Sequence, residues 1–166
     1  MFMEKFIKPI LIFGCGNTLF GDDGFGPEVV DRLNSNYKLP EYVVATDAGT
    51  GIQGVLFDIA LSLEKPSALF IVDTVLLPDR SAGELFELDI NQIPEKNVSE
   101  FSLHQFPSVN LLQELQQESG IQVRVFVVQA KSIPEYVEPG LSQEVYDAIE
   151  PACKWLIDNS LKIKNG

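Results

Sequence analysis

The sequence of 166 residues holds a single histidine, two cysteines and half as many bases as acids, 12 Lys and Arg against 24 Asp and Glu. A formal net charge of −12 argues against nucleic acid, whose affinity rests on Lys and Arg neutralising phosphates. It equally disfavours electrostatic docking on an anionic membrane. Cys15 and Cys153 form no CxxC and no disulfide framework, so a reducing cytoplasm is the expected compartment. No apolar run approaches the ~20 residues that span a bilayer. The start of the chain does not read as a signal peptide either, because Glu4 and Pro9 interrupt it. No P-loop lysine, HExxH or sequence-local Ser/His/Asp signature is present.

What is present is an ordinary globular composition, 45% hydrophobic and 22% charged, in one stretch without repeats, low-complexity tracts or linkers. A single domain over residues 1–166 is expected. Apolar runs of strand length alternate with segments of helical period. Strands are predicted at 6–13, 42–46, 68–72, 83–90 and 121–129, and helices at 26–35, 52–63, 108–117 and 142–163. In the 83–90 run, Leu85, Phe86, Leu88 and Ile90 alternate with Glu84, Glu87 and Asp89, which predicts a more exposed, antiparallel strand. Ser142 is a candidate helix cap, and Pro151 marks a kink or a fresh first turn. The order predicts a three-layer α/β/α sandwich with a mostly parallel five-stranded sheet, its sites at the edge where the strands end.

Chemistry concentrates at that edge. A glycine-rich turn, Gly14-Cys15-Gly16-Asn17-Thr18-Leu19-Phe20-Gly21-Asp22-Asp23-Gly24-Phe25-Gly26, joins the first strand to the first helix. Its opening Gly-x-Gly fits a dinucleotide fingerprint, but Leu19 stands at the third glycine position. Asp22 and Asp23 would repel a pyrophosphate, so the turn is a poor nucleotide site and a candidate cation site. Asp73 ends the third apolar run and Asp47 holds the analogous place after the second. Each carboxylate is read either as a turn former or as a functional group. His104 precedes a helix and is read either as structural or as a ligand. If the fold gathers Asp23, Asp73 and His104, they make a compact N/O site for zinc, nickel or a related divalent ion. Cys15 and Cys153 read as small buried residues.

The first turn, together with Asp47-Ala48-Gly49-Thr50, Ile71-Val72-Asp73, Ser102-Leu103-His104-Gln105 and Ile149-Glu150-Pro151-Ala152, resembles the hydrogenase maturation proteases over nearly the whole chain. These endopeptidases trim the C-terminus of the [NiFe]-hydrogenase large subunit. The wording of the first turn is most similar to the methanogen branch that matures the coenzyme F420-reducing hydrogenase. The resemblance implies a twisted, mixed five-stranded sheet and a metal-contact trio of Asp23, Asp73 and His104. Many relatives carry glutamate at the position of Asp23. It implies nickel carried by the substrate, a large-subunit precursor, with no tightly held resident cofactor; zinc or cadmium would occupy the site adventitiously. Asp47 is the candidate catalytic base, and Asn17, Asp22, Gly49 and Thr50 are expected to contact the substrate. Two other readings remain: a non-proteolytic nickel-binding or large-subunit chaperone module, and a small-molecule hydrolase on the same architecture.

Overall fold

The computed structural model describes residues 8–92 and 109–165. The elements run β1 (Ile10–Cys15), a short 3-10 turn (Gly21–Gly24), α1 (Phe25–Asn36), β2 (Val43–Gly49), α2 (Ile52–Leu61), β3 (Ala68–Val75) and β4 (Leu85–Leu88), followed by α3 (Val109–Ser119), β5 (Gln122–Gln129), α4 (Gln143–Tyr146) and α5 (Ile149–Asn165). The five strands order as β2-β1-β3-β5-β4. All pairings are parallel except β4 with β5, so the expected α/β/α sheet with one antiparallel strand is what forms.

Two separate cores confirm the three layers. On one face, Ile10, Ile12, Phe70 and Val72 of the sheet pack with Val29, Val30 and Leu33 of α1 and Ala152, Cys153 and Leu156 of α5. On the other, Phe13, Cys15, Leu69, Ile71 and Val75 pack with Ile52 and Leu56 of α2 and Leu112 and Leu115 of α3. β3 is buried along its whole length, as a central parallel strand flanked by helices must be. Glu150 ties α1 to α5: its carboxylate takes Arg32 at 2.7 Å and the Tyr37 hydroxyl. The Ile149–Ala152 motif is thus a clasp of the fold.

Several predicted boundaries move. β1 begins at Ile10 and continues through Gly14 and Cys15; of the predicted run, residues 6 and 7 lie outside the described residues, and Lys8 and Pro9 are not part of the strand. β3 extends two residues past Asp73, because Thr74 and Val75 continue its pairing with β5. The last predicted helix is two, α4 capped by Ser142, whose hydroxyl accepts from the Val145 N–H, and α5. Pro151 sits in the first turn of α5, where its missing N–H is one the helix leaves unpaired anyway.

This topology positions the site. β1 lies between β2 and β3, so chain leaving β1 meets connections departing in opposite directions. A crevice opens there, at the carboxyl ends of the strands.

Candidate active site

The loop between β1 and α1 folds back tightly. Gly16 has φ +137° and a Cβ there would strike the Asp23 carbonyl oxygen. A Cβ on Gly14 would strike the Gly26 carbonyl and the Val30 side chain. Glycine at these positions lets α1 press onto β1 and brings Asp23 over the strand end. One oxygen of Asp23 accepts the Asn17 N–H at 3.0 Å.

Asp23 and Asp73 come together here, both 5% exposed. Asp73 alternates with Ile71 and Val75, so it shares the α2/α3 face with Cys15. Thr74 alternates to the other face and donates its hydroxyl to the Asp22 carbonyl at 2.9 Å, locking the 3-10 turn onto β3. Asp73 accepts the Thr74 N–H at 2.8 Å. Burial pushes its carboxyl up to about 8; the Thr74 N–H pulls it back in part, and the charge of Asp23 pushes it up again. Two buried carboxylates therefore lie close enough for the charge of one to raise the other. Such a pair holds a proton between them or welcomes a cation.

Cys15 registers the same convergence. Its thiol is pushed well above its ordinary value, first by burial and then by the charges of Asp73, Asp47 and Asp23. Three carboxylates, from β2, β3 and the first loop, thus act on one side chain at the tip of β1. The thiol stays protonated and inert, as the buried-residue reading expected. Cys153 is likewise buried and its thiol raised to about 11.

Asp47 is exposed. One of its carboxylate oxygens accepts the Gly49 N–H at 2.8 Å, so the turn-forming reading holds for that oxygen. The side chain also lines a cleft of about 250 Å³ with Gly16, Asn17, Thr18, Pro27, Gly49 and Thr50. The expected substrate contacts Asn17, Gly49 and Thr50 therefore surround one opening beside Asp47.

Asp22 is engaged within the fold. It is 2% exposed and its carboxylate accepts the Lys131 N–H at 2.9 Å, the Ser142 N–H at 2.7 Å and the Ser142 hydroxyl at 3.0 Å. Those bonds tie the first loop to the segment after β5. Lys131 and Ser142 were not legible as its partners, because they lie 109 and 120 residues away. His104 lies outside the described residues. Among the described residues, no group of three or more His, Cys, Asp or Glu is arranged to hold a metal; of the three expected contacts, Asp23 and Asp73 lie among the described residues. No helix among the described residues is long and apolar enough to cross a membrane.

Comparison with known proteins places the chain in a family. The hydrogenase maturation protease profile matches residues 27–159. The coenzyme F420 hydrogenase subunit delta of Methanothermobacter thermautotrophicus is 36% identical over 152 residues, 90% of this chain and 92% of that protein. The hydrogenase 2 maturation protease of Escherichia coli is 30% identical over 150 residues, 89% of this chain and 88% of that protein. The solved hydrogenase-maturating endopeptidase HybD of E. coli shares the fold with a TM-score of 0.71 at 29% identity, covering 93% of each chain. The acid-lined edge thus lies in a peptide-bond hydrolase, and the chain belongs to the hydrogenase maturation protease family.

Proposed function

We propose that this endopeptidase removes the C-terminal extension of a [NiFe]-hydrogenase large-subunit precursor and recognises that precursor by the nickel it already carries. Asp23, Asp73 and His104 contact the ion. The observation that carries the reading is the Asp23–Asp73 pair, both buried, with the charge of Asp23 acting on a carboxyl that burial already raises. Its oxygens suit a divalent cation, and an arriving cation exchanges for the proton that Asp73 holds. An incomplete ligand set leaves coordination positions for the client's own ligands. Affinity then depends on metal already being in the client, so cutting becomes a checkpoint on metal insertion. No resident cofactor is required, and zinc or cadmium binds only as a stand-in.

The scissile segment enters the cleft beside Asp47, where Asn17, Gly49 and Thr50 surround it. Asp47 keeps one oxygen on the Gly49 N–H, which fixes the carboxylate; the other orients and deprotonates the attacking water. The client metal polarises the carbonyl. The 36% identical relative named as a coenzyme F420 hydrogenase subunit favours the F420-reducing enzyme as client. Both cysteines are free and buried, which is compatible with work in the cytoplasm.

Mixing the purified protein with nickel-loaded precursor is expected to lower the precursor's mass by one C-terminal fragment, read by intact-mass spectrometry. An unchanged mass with a competent precursor contradicts the proposal.

A further inference from the structure

A second feature of the same edge has no part in the chemistry above. Residues 130–142, which follow β5, fold back against the first loop. The Glu138 N–H donates to the Leu19 carbonyl at 2.8 Å, and the Gly21 N–H donates to the Glu138 carbonyl at 2.8 Å. Phe20 and Glu138 thereby form an isolated parallel bridge, and Leu19 and Val137 immediately precede its two residues in the chain. Asp22 holds both ends of the returning segment, through Lys131 and Ser142. Gly21, at φ +51°, packs so closely on Pro134 that a Cβ would lie 2.8 Å from the proline ring.

This rigid clamp presents large apolar side chains to solvent. Leu19 is 47% exposed, Val137 64% and Tyr136 80%. An apolar side chain normally escapes water where the fold allows it; here hydrogen bonds on both sides hold three of them out. Beside them a pocket of about 220 Å³ is lined by Glu138, Gly140 and Ser132. Glu135 and Glu138 are exposed on the same segment. Its only basic residue, Lys131, is engaged by Glu144 at 3.0 Å. The surface is thus an apolar ridge with an acidic border and no spare positive charge.

We infer that Leu19, Tyr136 and Val137, with the acid-lined pocket beside them, seat a segment of the client polypeptide that carries apolar and basic side chains next to one another. The inference rests on the proposed function and adds where the client is gripped. Continuity supports it, since Leu19 lies in the same loop as Asp23, four residues before it. Charge supports it too, because an acidic border selects basic neighbours and repels a second copy of a chain with net charge −12. Rigid, preorganised aromatic and aliphatic anchors are what concentrated binding energy requires.

The test pairs the double variant Leu19→Glu/Val137→Glu with Leu63→Glu, a fully exposed position (101%) beyond the C-terminal end of α2, at the opposite edge of the sheet. Affinity for fluorescently labelled nickel-loaded precursor and its cleavage are read in the same titration. The double variant is expected to bind at least about tenfold more weakly, with unchanged kcat and unchanged thermal midpoint. Leu63→Glu is expected to bind as wild type. Added salt is expected to weaken binding by the wild type and to do so less for Glu138→Gln. Equal affinity of the double variant and wild type overturns the inference. So does a wild-type self-association that the double variant abolishes, which makes a second copy the occupant. Binding without cutting by the wild type would instead contradict the protease proposal and leave the grip measurable.

Discussion

Asp22 and Asp23 are neighbours of the same residue type, both nearly buried, yet the structure sends them to opposite sides of one edge. On the clamp side, Asp22 takes two N–H groups and a hydroxyl. Its charge is satisfied and holds two distant segments together. On the cleft side, Asp23 acts on Asp73, which accepts the Thr74 N–H and is raised by burial and by its neighbour's charge. The contrast separates two uses of a buried carboxylate. One whose oxygens are taken up by distant donors is a structural tie, and one set beside a second buried carboxylate is where the proposed function puts the client's cation.

The comparison can be broken most severely on the cleft side. Asp73→Asn and His104→Ala are each expected to lower the rate of precursor processing by roughly 10³-fold, about 4 kcal/mol of transition-state stabilisation, with the fold intact by circular dichroism. Near-normal processing by either would remove that residue from the site. On the clamp side, Asp22→Ala strands the Lys131 and Ser142 donors and is expected to cost about 3 kcal/mol of stability, read by denaturant unfolding. A loss as small as that of a surface substitution would mean the clamp does not hold the first loop.

A third measurement sharpens the same contrast through pH. Asp73 binds its proton more tightly folded than unfolded, its carboxyl raised from 3.8 to about 8. Its contribution to stability is therefore complete below the lower value and is lost as pH climbs through the upper one. Between those limits the metal-free wild type should lose stability relative to Asp73→Asn by up to about 1.4 kcal/mol per pH unit. Parallel stability curves for the two proteins would show that Asp73 is not protonated in the fold. The smallest effect belongs to a pair outside both regions. Arg80 and Glu84 lie 3.0 Å apart with side chains 39% and 41% exposed, and Glu84→Gln should change stability by less than about 0.5 kcal/mol.

Much of this could be read from the chain. Apolar runs bounded by turns gave the strands, and the acids of 83–90 gave the antiparallel edge. The crowding of carboxylates at strand ends pointed to the edge that bears the site. Boundaries slipped where tertiary packing overrides local signals. Gly14 and Cys15 belong to β1 because Gly26 and α1 press against them, and β3 runs past Asp73 because β5 pairs with Thr74 and Val75. The different fates of Asp22 and Asp23 had no local signal at all. Nothing in the first loop announces that Ser142 will return to cap α4 and donate to Asp22 as well. The ridge of Leu19 and Val137 was hidden for the same reason, since its two sides meet only through a bridge between residues 20 and 138.

If the client's nickel completes the Asp23–Asp73 site, affinity must depend on the state of the client. Wild-type protein should bind nickel-loaded precursor about tenfold or more tightly than nickel-free precursor, a coupling of ordinary size, and Asp73→Asn should erase the difference. Equal affinity of the wild type for the loaded and the empty precursor would contradict the account.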